Sequence, residues 1–258
     1  MVFELLQDNK ISWKIYVHPD KNGCANPSCL YAQSYINQFT FGNTILETYP
    51  QNLATVSEYL SDVQNGTLPQ VAFIEPASEA SLDEHPSDDD VKPNLAPNVE
   101  SGSHYAASLI NALMTSSSWK DSVFFLTFDE AGGFYDHVPP EPAVSPDGIP
   151  PQLKSGDICT SGKGAGGYTC GFTLTGYRVP LIVLSPYAKK HYVSHTVADY
   201  TALLKFIETR FNLSSLTARD AAQMDMTEFF DFVNKPWATP PTPPVQPSGG
   251  PCYLDHLP

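Results

Sequence analysis

The chain has 258 residues, of which 41% are hydrophobic and 16% charged, and 28 acidic against 14 basic residues give a formal net charge of −14. This length and composition are typical of one folded domain of ordinary size and exclude a disordered chain. A surface this acidic repels nucleic acids and anionic membranes, so neither is expected as a partner. No apolar run reaches the roughly 20 residues of a transmembrane helix, and the N-terminus lacks the basic start and long apolar core of a signal peptide.

Hydrophobic periodicity divides the chain into alternating helices and strands. Apolar residues at helical spacing predict the helices, and short apolar runs bounded by turn residues predict the strands. In chain order, the predicted elements are a helix over 1–9, a strand over 12–17, a helix over 53–63, a strand over 71–74, a helix from a cap at Ser101 or Ser103 to Met114, strands over 123–128 and 180–184, a helix over 198–211 and a broken helix over 217–232.

Apolar strands that alternate with helices predict an α/β fold with a mostly parallel central sheet and helices on both faces. Residues 1–234 are assigned to this domain, and residues 235–258 to a proline-rich C-terminal tail. Ligands of such sheets bind beyond the carboxyl ends of the strands. The candidate residues are therefore those that follow the three strongest predicted strands: Asp83, Glu84 and His85, then Asp129, Glu130, Asp136 and His137, then His191 and His195.

The segment 122–140, S-V-F-F-L-T-F-D-E-A-G-G-F-Y-D-H-V-P-P, has the strongest local pattern. A run expected to be buried on both faces ends at Asp129 and Glu130, and a glycine pair then turns the chain towards Asp136 and His137. Ionised carboxylates at the end of a buried strand are costly unless they are compensated, and a bound cation is a common compensation. The segment therefore indicates part of a hard-metal or phosphate site. The alternative is a strand that ends in a solvated turn, with one acid capping the next element.

The polar residues after the other two strands each have an ordinary alternative role. His85, in D-E-H-P, either offers an imidazole to a phosphate or metal or lies in an exposed acidic loop. His195, in Y-V-S-H-T, is expected close to a helix start capped by Ser194 or Thr196, in either a packing or an active-site role. Arg178, ahead of the last strand, is expected to pair with a carboxylate at the sheet edge.

The five cysteines indicate an oxidising compartment. Cys24 and Cys29 bracket a short polar loop, and Cys159 and Cys170 bracket a glycine-rich one, so both local pairs are expected to form disulfides. A structural zinc site is the alternative, but the spacing does not match that of a zinc finger. Cys252 is left over. An unpaired cysteine and no leader in a secreted protein together suggest that a segment precedes Met1.

Five segments carry a resemblance to a known family. They are D-E-H-P at 83–86, T-F-D-E-A-G-G-F-Y-D-H-V-P-P at 127–140, R-V-P-L-I-V-L-S-P with the following S-H-T, F-I-E-T-R-F, and L-T-A-R-D-A. Through them the chain resembles the phosphoesterase family that includes bacterial and plant non-specific phospholipases C and acid phosphatases of the alkaline-phosphatase-like fold. The resemblance implies hydrolysis of a phosphate ester or phospholipid. It also implies that a divalent cation is bound by Asp129 and Glu130, and that the phosphate pocket is lined by His85, His137 and His195.

Two motifs of that family do not occur in this sequence. In the family, a Glu-Asn-Arg-Ser-Phe-Asp segment on the first strand supplies further metal ligands, and a Thr or Ser in a motif ending Asn-Arg is the nucleophile. The chain thus resembles the C-terminal portion of the enzyme with the N-terminal part missing. Little or no turnover is expected of it alone, and the complete protein is expected to be extracellular.

Two other functions remain as alternatives at this point. The chain could be a non-catalytic remnant of such an enzyme that binds a metal or an anion. A glycoside hydrolase that uses the acids as an acid/base pair is disfavoured. Adjacent residues of a strand point to opposite faces, so Asp129 and Glu130 cannot easily flank one bond.

Overall fold

The computed structural model describes residues 1–24, 26–85, 99–152 and 171–243. The chain divides into two compact units. The N-terminal unit comprises Leu6–Phe124 with the chain from Trp237 on, and the C-terminal unit comprises Phe125–Pro236 with Met1–Leu5. The assignment of residues 1–234 to one domain stays a prediction. The expected Cys159–Cys170 disulfide and most of the proline-rich tail lie outside the described residues.

The described residues alternate helices and strands much as the periodicity predicts. The helices are α1 (Val2–Asp8), α2 (Pro27–Ala32), α3 (Gly42–Thr48), α4 (Val56–Asn65), α5 (Val99–Met114), α6 (Thr201–Phe211) and α7 (Ala218–Ala221). The strands are β1 (Trp13–Val17), β2 (Leu53–Thr55), β3 (Val71–Ile74), β4 (Phe124–Thr127) and β5 (Leu181–Leu184). The predicted broken helix after residue 217 is α7 followed by the short 3₁₀ turn Thr227–Phe229. Helices α2 and α3 and strand β2 are additions to the predicted set.

The N-terminal unit contains a three-stranded parallel sheet in the order β2-β1-β3. In its register, Ile15 of the central strand lies opposite Leu53 on one side and Phe73 on the other. Residues of β1 are buried almost without interruption, as expected for a strand covered on both faces. The predicted parallel α/β arrangement is therefore confirmed for this unit.

Helix α4 begins where strand β2 ends. The Thr55 hydroxyl accepts a hydrogen bond from the Glu58 backbone N–H at 3.2 Å, and the Glu58 carboxylate accepts one from the Thr55 backbone N–H at 2.7 Å. This capping box starts the helix, and Gly66 ends it in the left-handed region at φ 70°. The expectation that the helix begins at Leu53 is wrong, because Leu53 pairs with β1. Apolar spacing alone does not separate the last residues of a strand from the first turn of a helix.

Helices α4 and α5 pack on this sheet around two tyrosines. Tyr16 and Tyr59 meet edge to face with ring centroids 5.4 Å apart, and the Tyr59 hydroxyl donates to the Leu109 carbonyl at 3.2 Å. The buried cluster comprises Tyr16, Ala54, Val56, Tyr59, Val63 and Leu109. None of the helices in the described parts of the chain combines the length and hydropathy that crossing a bilayer demands.

The C-terminal unit contains a two-stranded sheet of β4 and β5. Every residue of β4 is only half-buried, and Leu181 and Ile182 of β5 are exposed. The expectation that these strands are buried on both faces is wrong, because an apolar run predicts a strand but not the layer that covers it. The strongest predicted strands also divide between two sheets, β3 in one and β4 with β5 in the other.

Helix α6 packs against β4 and begins later than predicted. The rings of Phe125 and Phe206 lie 5.0 Å apart, edge to face. The Asp199 carboxylate accepts a hydrogen bond from the Thr201 backbone N–H at 2.8 Å, and it is held in place by the Arg219 guanidinium at 2.7 Å. Neither Ser194 nor Thr196 caps this helix, which corrects that expectation.

Candidate functional site

The acids Asp129 and Glu130 follow β4 and precede a glycine turn. Gly132 and Gly133 have φ values of 63° and 75°, and the Phe134 backbone N–H donates to the Ala131 carbonyl at 3.1 Å. Positive φ at both central positions is the conformation that a glycine pair adopts without strain. The predicted turn is confirmed, and it returns the chain towards Asp136.

Both side chains of this acid doublet, Asp129 and Glu130, are exposed. Within the described ranges, neither carboxylate has a hydrogen bond or ion pair to another residue. The sequence argument from the cost of burying these charges is therefore wrong, since water solvates them. What the structure offers is a pair of open carboxylates, which are hard oxygen ligands.

Tyr200, at the start of α6, lies against the acid doublet. Its hydroxyl donates to the Asp129 main-chain carbonyl at 2.8 Å. Burial, followed by the negative charges of Asp129 and Glu130, raises the pKa of Tyr200, so this hydroxyl stays protonated. The sequence did not point to Tyr200, because a tyrosine ahead of a helix is an unremarkable pattern and the contact spans 71 residues.

Asp136 is fully engaged by Arg178. The guanidinium donates from Nε to Oδ2 at 2.9 Å and from Nη2 to Oδ1 at 2.7 Å, and the Val138 backbone N–H adds a hydrogen bond at 3.0 Å. Arg178 first, and the backbone donors with it, hold the pKa of Asp136 far below its usual range. The predicted pairing of Arg178 with a carboxylate is confirmed. Asp136 therefore anchors the loop and has no oxygen left for a metal ion.

His137 and His195 both present exposed rings. The His137 side chain is 78% exposed, and its Nδ1 lies 3.9 Å from Asp136 Oδ1, beyond hydrogen-bond distance. His195 lies between Ser194 and Thr196, whose hydroxyls both donate to Glu228. These two imidazoles and the acid doublet belong to the same unit. Their roles at a phosphate stay a prediction.

His85 belongs to the N-terminal unit, on the segment that follows β3. Glu84 and the Asp83 backbone pack over Gly102 of α5, and the Ser103 hydroxyl donates to Glu84 Oε1 at 2.6 Å. The cap expected at Ser101 or Ser103 is wrong, because α5 already begins at residue 99. His85 itself is exposed. Its meeting with the histidines of the other unit stays a prediction.

A metal ion requires more donors than one turn provides. Among the residues the structure describes, no group of three or more His, Cys, Asp or Glu side chains has the arrangement of a metal site. Magnesium-like ions, however, are often held by one or two carboxylates, with water and substrate phosphate oxygens completing the shell. The open carboxylates of Asp129 and Glu130 are donors of the type that such a cation prefers, and their binding of one stays a prediction.

The chain belongs to the phosphoesterase family, whose model matches residues 1–214. Phospholipase C B of Mycobacterium tuberculosis is 33% identical over 255 residues, which cover 93% of this chain and 44% of that protein. The non-hemolytic phospholipase C of Burkholderia pseudomallei is 28% identical over 281 residues, covering 93% and 37%. The hemolytic phospholipase C of Pseudomonas aeruginosa is 34% identical over 183 residues, covering 69% and 23%. The chain thus spans less than half the length of these relatives.

Proposed function

We propose that this chain supplies part of the active site of a phosphoesterase of the phospholipase C type that depends on a divalent cation. The observation that carries the proposal is the acid doublet, Asp129 and Glu130, held on a tight turn with both carboxylates open. This turn lies inside the range that matches the family model. These three relatives are phospholipases C, which supports a phospholipid as the substrate class.

The residues of this chain have different proposed roles around a bound phosphate. A divalent cation, when bound by Asp129 and Glu130, neutralises negative charge on the phosphoryl oxygens. His137 and His195 stabilise those oxygens or protonate the leaving alcohol. Tyr200 holds the main chain of the acid doublet through the Asp129 carbonyl.

Exposed apolar side chains next to these residues support a lipid rather than a small soluble ester. Tyr135, which is 91% exposed, and the neighbouring Phe134 lie in the turn between the acid doublet and His137. Val193, which is 73% exposed, and Val197 flank His195. Exposed apolar side chains in such positions favour contact with another apolar surface. Acyl chains near the headgroup of a phospholipid supply such a surface.

The proposed extracellular location rests on the cysteines. Cys24 and Cys29 form a disulfide, as the sequence predicts. Disulfides persist in oxidising compartments. Secretion of the complete protein is therefore part of the proposal.

Calorimetric titration with Mn²⁺ or Ca²⁺ tests the cation. We expect the chain to bind the ion and Asp129→Asn or Glu130→Gln to weaken binding about tenfold or more, as loss of a ligand commonly does. Glu79→Gln removes an exposed acid of the N-terminal unit and serves as the control, with unchanged affinity. Equal binding by the wild type and the doublet variants would contradict the proposal.

Hydrolysis of bis(p-nitrophenyl) phosphate in the presence of these ions tests the chemistry separately. From the motifs absent from the sequence, we expect the isolated chain to show little turnover. Cation binding without any hydrolysis is compatible with the proposal and also with the alternative of a non-catalytic metal- or anion-binding remnant. Hydrolysis abolished by Asp129→Asn favours the enzyme.

A further inference from the structure

The residues on both sides of His195 are held by a single carboxylate. Ser194 Oγ donates to Oε1 of Glu228, and Thr196 Oγ1 donates to Oε2 of the same group at 3.0 Å. The Thr196 backbone N–H donates in turn to Ser194 Oγ at 3.1 Å. Hydrogen bonds thus fix the backbone immediately before and after His195, while its ring remains exposed.

Glu228 is itself held on a well-anchored turn. It lies in the 3₁₀ turn Thr227–Phe229, whose start is capped by the Asp225 carboxylate through the Thr227 backbone N–H at 2.9 Å. On the other side, the Lys189 backbone N–H donates to the Phe229 carbonyl at 2.9 Å, and Phe230 is buried. The turn is therefore joined to the chain that follows β5. Glu228 presents a fixed acceptor to the His195 loop.

The chemistry of the contact requires a carboxylate. An ionised carboxylate only accepts hydrogen bonds, whereas an amide offers one oxygen and two N–H donors. The hydroxyls of Ser194, first, and Thr196 hold the pKa of Glu228 below its usual range, so it is charged at neutral pH. A glutamine of the same shape cannot accept from Ser194 and Thr196 on both of its terminal atoms.

We propose that Glu228 is a positioning residue that fixes the backbone of His195 and thereby aims its ring at the phosphate of the substrate. This inference rests on the function proposed above. The bonds at Ser194 and Thr196 fix the position of the His195 Cα and the direction of its Cα–Cβ bond, and with them the positions that the imidazole can reach. A small rotation of that backbone displaces the imidazole, and displacements of about 1 Å cost on the order of 10²-fold in rate.

The full chain with ¹³C-labelled histidine tests this inference by NMR, because its seven histidines give a simple spectrum. The His195 signal is assigned from its loss in His195→Gln. Inorganic phosphate is then titrated into the wild type, Glu228→Gln and the control Asp231→Asn. Asp231 lies just after the same turn but caps the backbone N–H of Val233 and Asn234, each at 3.0 Å, and has no bond to the His195 loop.

Glu228→Gln is expected to shift or broaden the His195 signal and to weaken its response to phosphate about tenfold, with kcat lowered by up to about 10²-fold wherever turnover is measurable. Asp231→Asn is expected to leave the signal unchanged. Thr196→Val, which removes one hydroxyl only, should give an intermediate effect. The inference is overturned if His195 is indifferent to Glu228→Gln, or if Asp231→Asn disturbs His195 to the same degree.

The titration also separates this inference from the proposed function. If phosphate leaves the His195 signal of the wild type unchanged, phosphate binding at His195 is refuted. The signal without phosphate still reports the effect of Glu228. A shift of this His195 signal in Glu228→Gln then still supports the proposal that Glu228 fixes the backbone around His195, and an unchanged signal refutes it.

Discussion

At the scale of single residues, Glu208 and Asp220 show how a buried pair of acids is accommodated. The two residues are 3% and 1% exposed and are hydrogen-bonded to each other. Burial first, and then Asp220, raises the pKa of Glu208. Burial acts to raise the pKa of Asp220, but hydrogen bonds from Thr217 and Glu208 lower it below its usual range. Of the two acids, Glu208 is therefore the one whose protonated form folding favours.

The pair predicts a dependence of stability on pH with a definite sign. Because the pKa of Glu208 is raised on folding, its contribution is complete below its unfolded pKa and is lost as the pH rises through the folded value. Asp220 contributes above its unfolded pKa and loses that contribution as the pH falls through its lowered folded value. The free energy of unfolding should therefore be greatest at mildly acidic pH, as far as this pair determines it.

In Glu208→Gln, the free energy of unfolding should no longer fall as the pH rises through the folded pKa of Glu208, because an amide stays neutral at every pH. We expect the free energy of unfolding, measured with urea at pH 5 and pH 8, to differ less in Glu208→Gln than in the wild type. At pH 5 the variant should be less stable by about 1 kcal/mol through a poorer hydrogen bond. Asp225→Asn is the control, since the lowered pKa of Asp225 leaves it ionised at both pH values. An unchanged difference in Glu208→Gln would contradict the raised pKa of Glu208.

At the scale of elements, Gly102 determines how the D-E-H-P segment meets α5. A Cβ at this position would lie 2.4 Å from the Asp83 carbonyl carbon and 2.5 Å from its oxygen. Backbone cannot move aside as the end of a flexible side chain does. The glycine is thus required by close approach rather than by its φ, and its lack of a side chain brings His85 to this face of the helix.

Gly102→Ala should therefore destabilise the chain although alanine is the better helix former. Overpacking against backbone costs about 1–3 kcal/mol, which exceeds the gain of about 1 kcal/mol in helix propensity. Ser108→Ala, at an exposed position of the same helix, should change stability by less than about 0.5 kcal/mol. Urea unfolding measures both variants. A more stable Gly102→Ala would show that the segment does not pack here.

At the scale of the whole molecule, net charge governs which surfaces the chain approaches. The formal charge of −14 repels anionic lipids, and such repulsion is screened over a Debye length of about 8 Å at physiological salt. The exposed apolar side chains Phe134 and Tyr135 favour attraction to a lipid surface instead, and they act only at direct contact. For the proposed lipid substrate, we therefore expect charge to select the type of lipid surface and apolar contact to determine the strength of binding.

Vesicle sedimentation checks this balance. We expect stronger binding to zwitterionic phosphatidylcholine vesicles than to anionic phosphatidylglycerol vesicles at low salt, with the gap narrowing as salt is added. Replacing Phe134 and Tyr135 by serine should weaken binding to both kinds of vesicle alike. A preference of the wild type for the anionic vesicles would contradict the expectation.

Much of the local structure followed from the sequence, because its causes lie within a few residues. The periodicity located β1, β3 and α4, and the glycine pair predicted the turn at residues 131–134. The sequence predicted that Arg178 pairs with a carboxylate, but it did not predict that the partner is Asp136. The burial of β4 and the division of β3 and β4 between two sheets were misjudged, since neighbours in a sheet come from distant parts of the chain.

The sequence by itself determined the family, the parallel α/β character and the acid doublet on its turn, because these depend on residue types at short spacing. Only the tertiary structure decided which distant side chains contact the candidate site residues and their neighbours. Tyr200 reaches the Asp129 carbonyl across 71 residues, and Ser194 reaches Glu228 across 34. Such contacts are fixed by packing of whole elements, which local spacing does not encode.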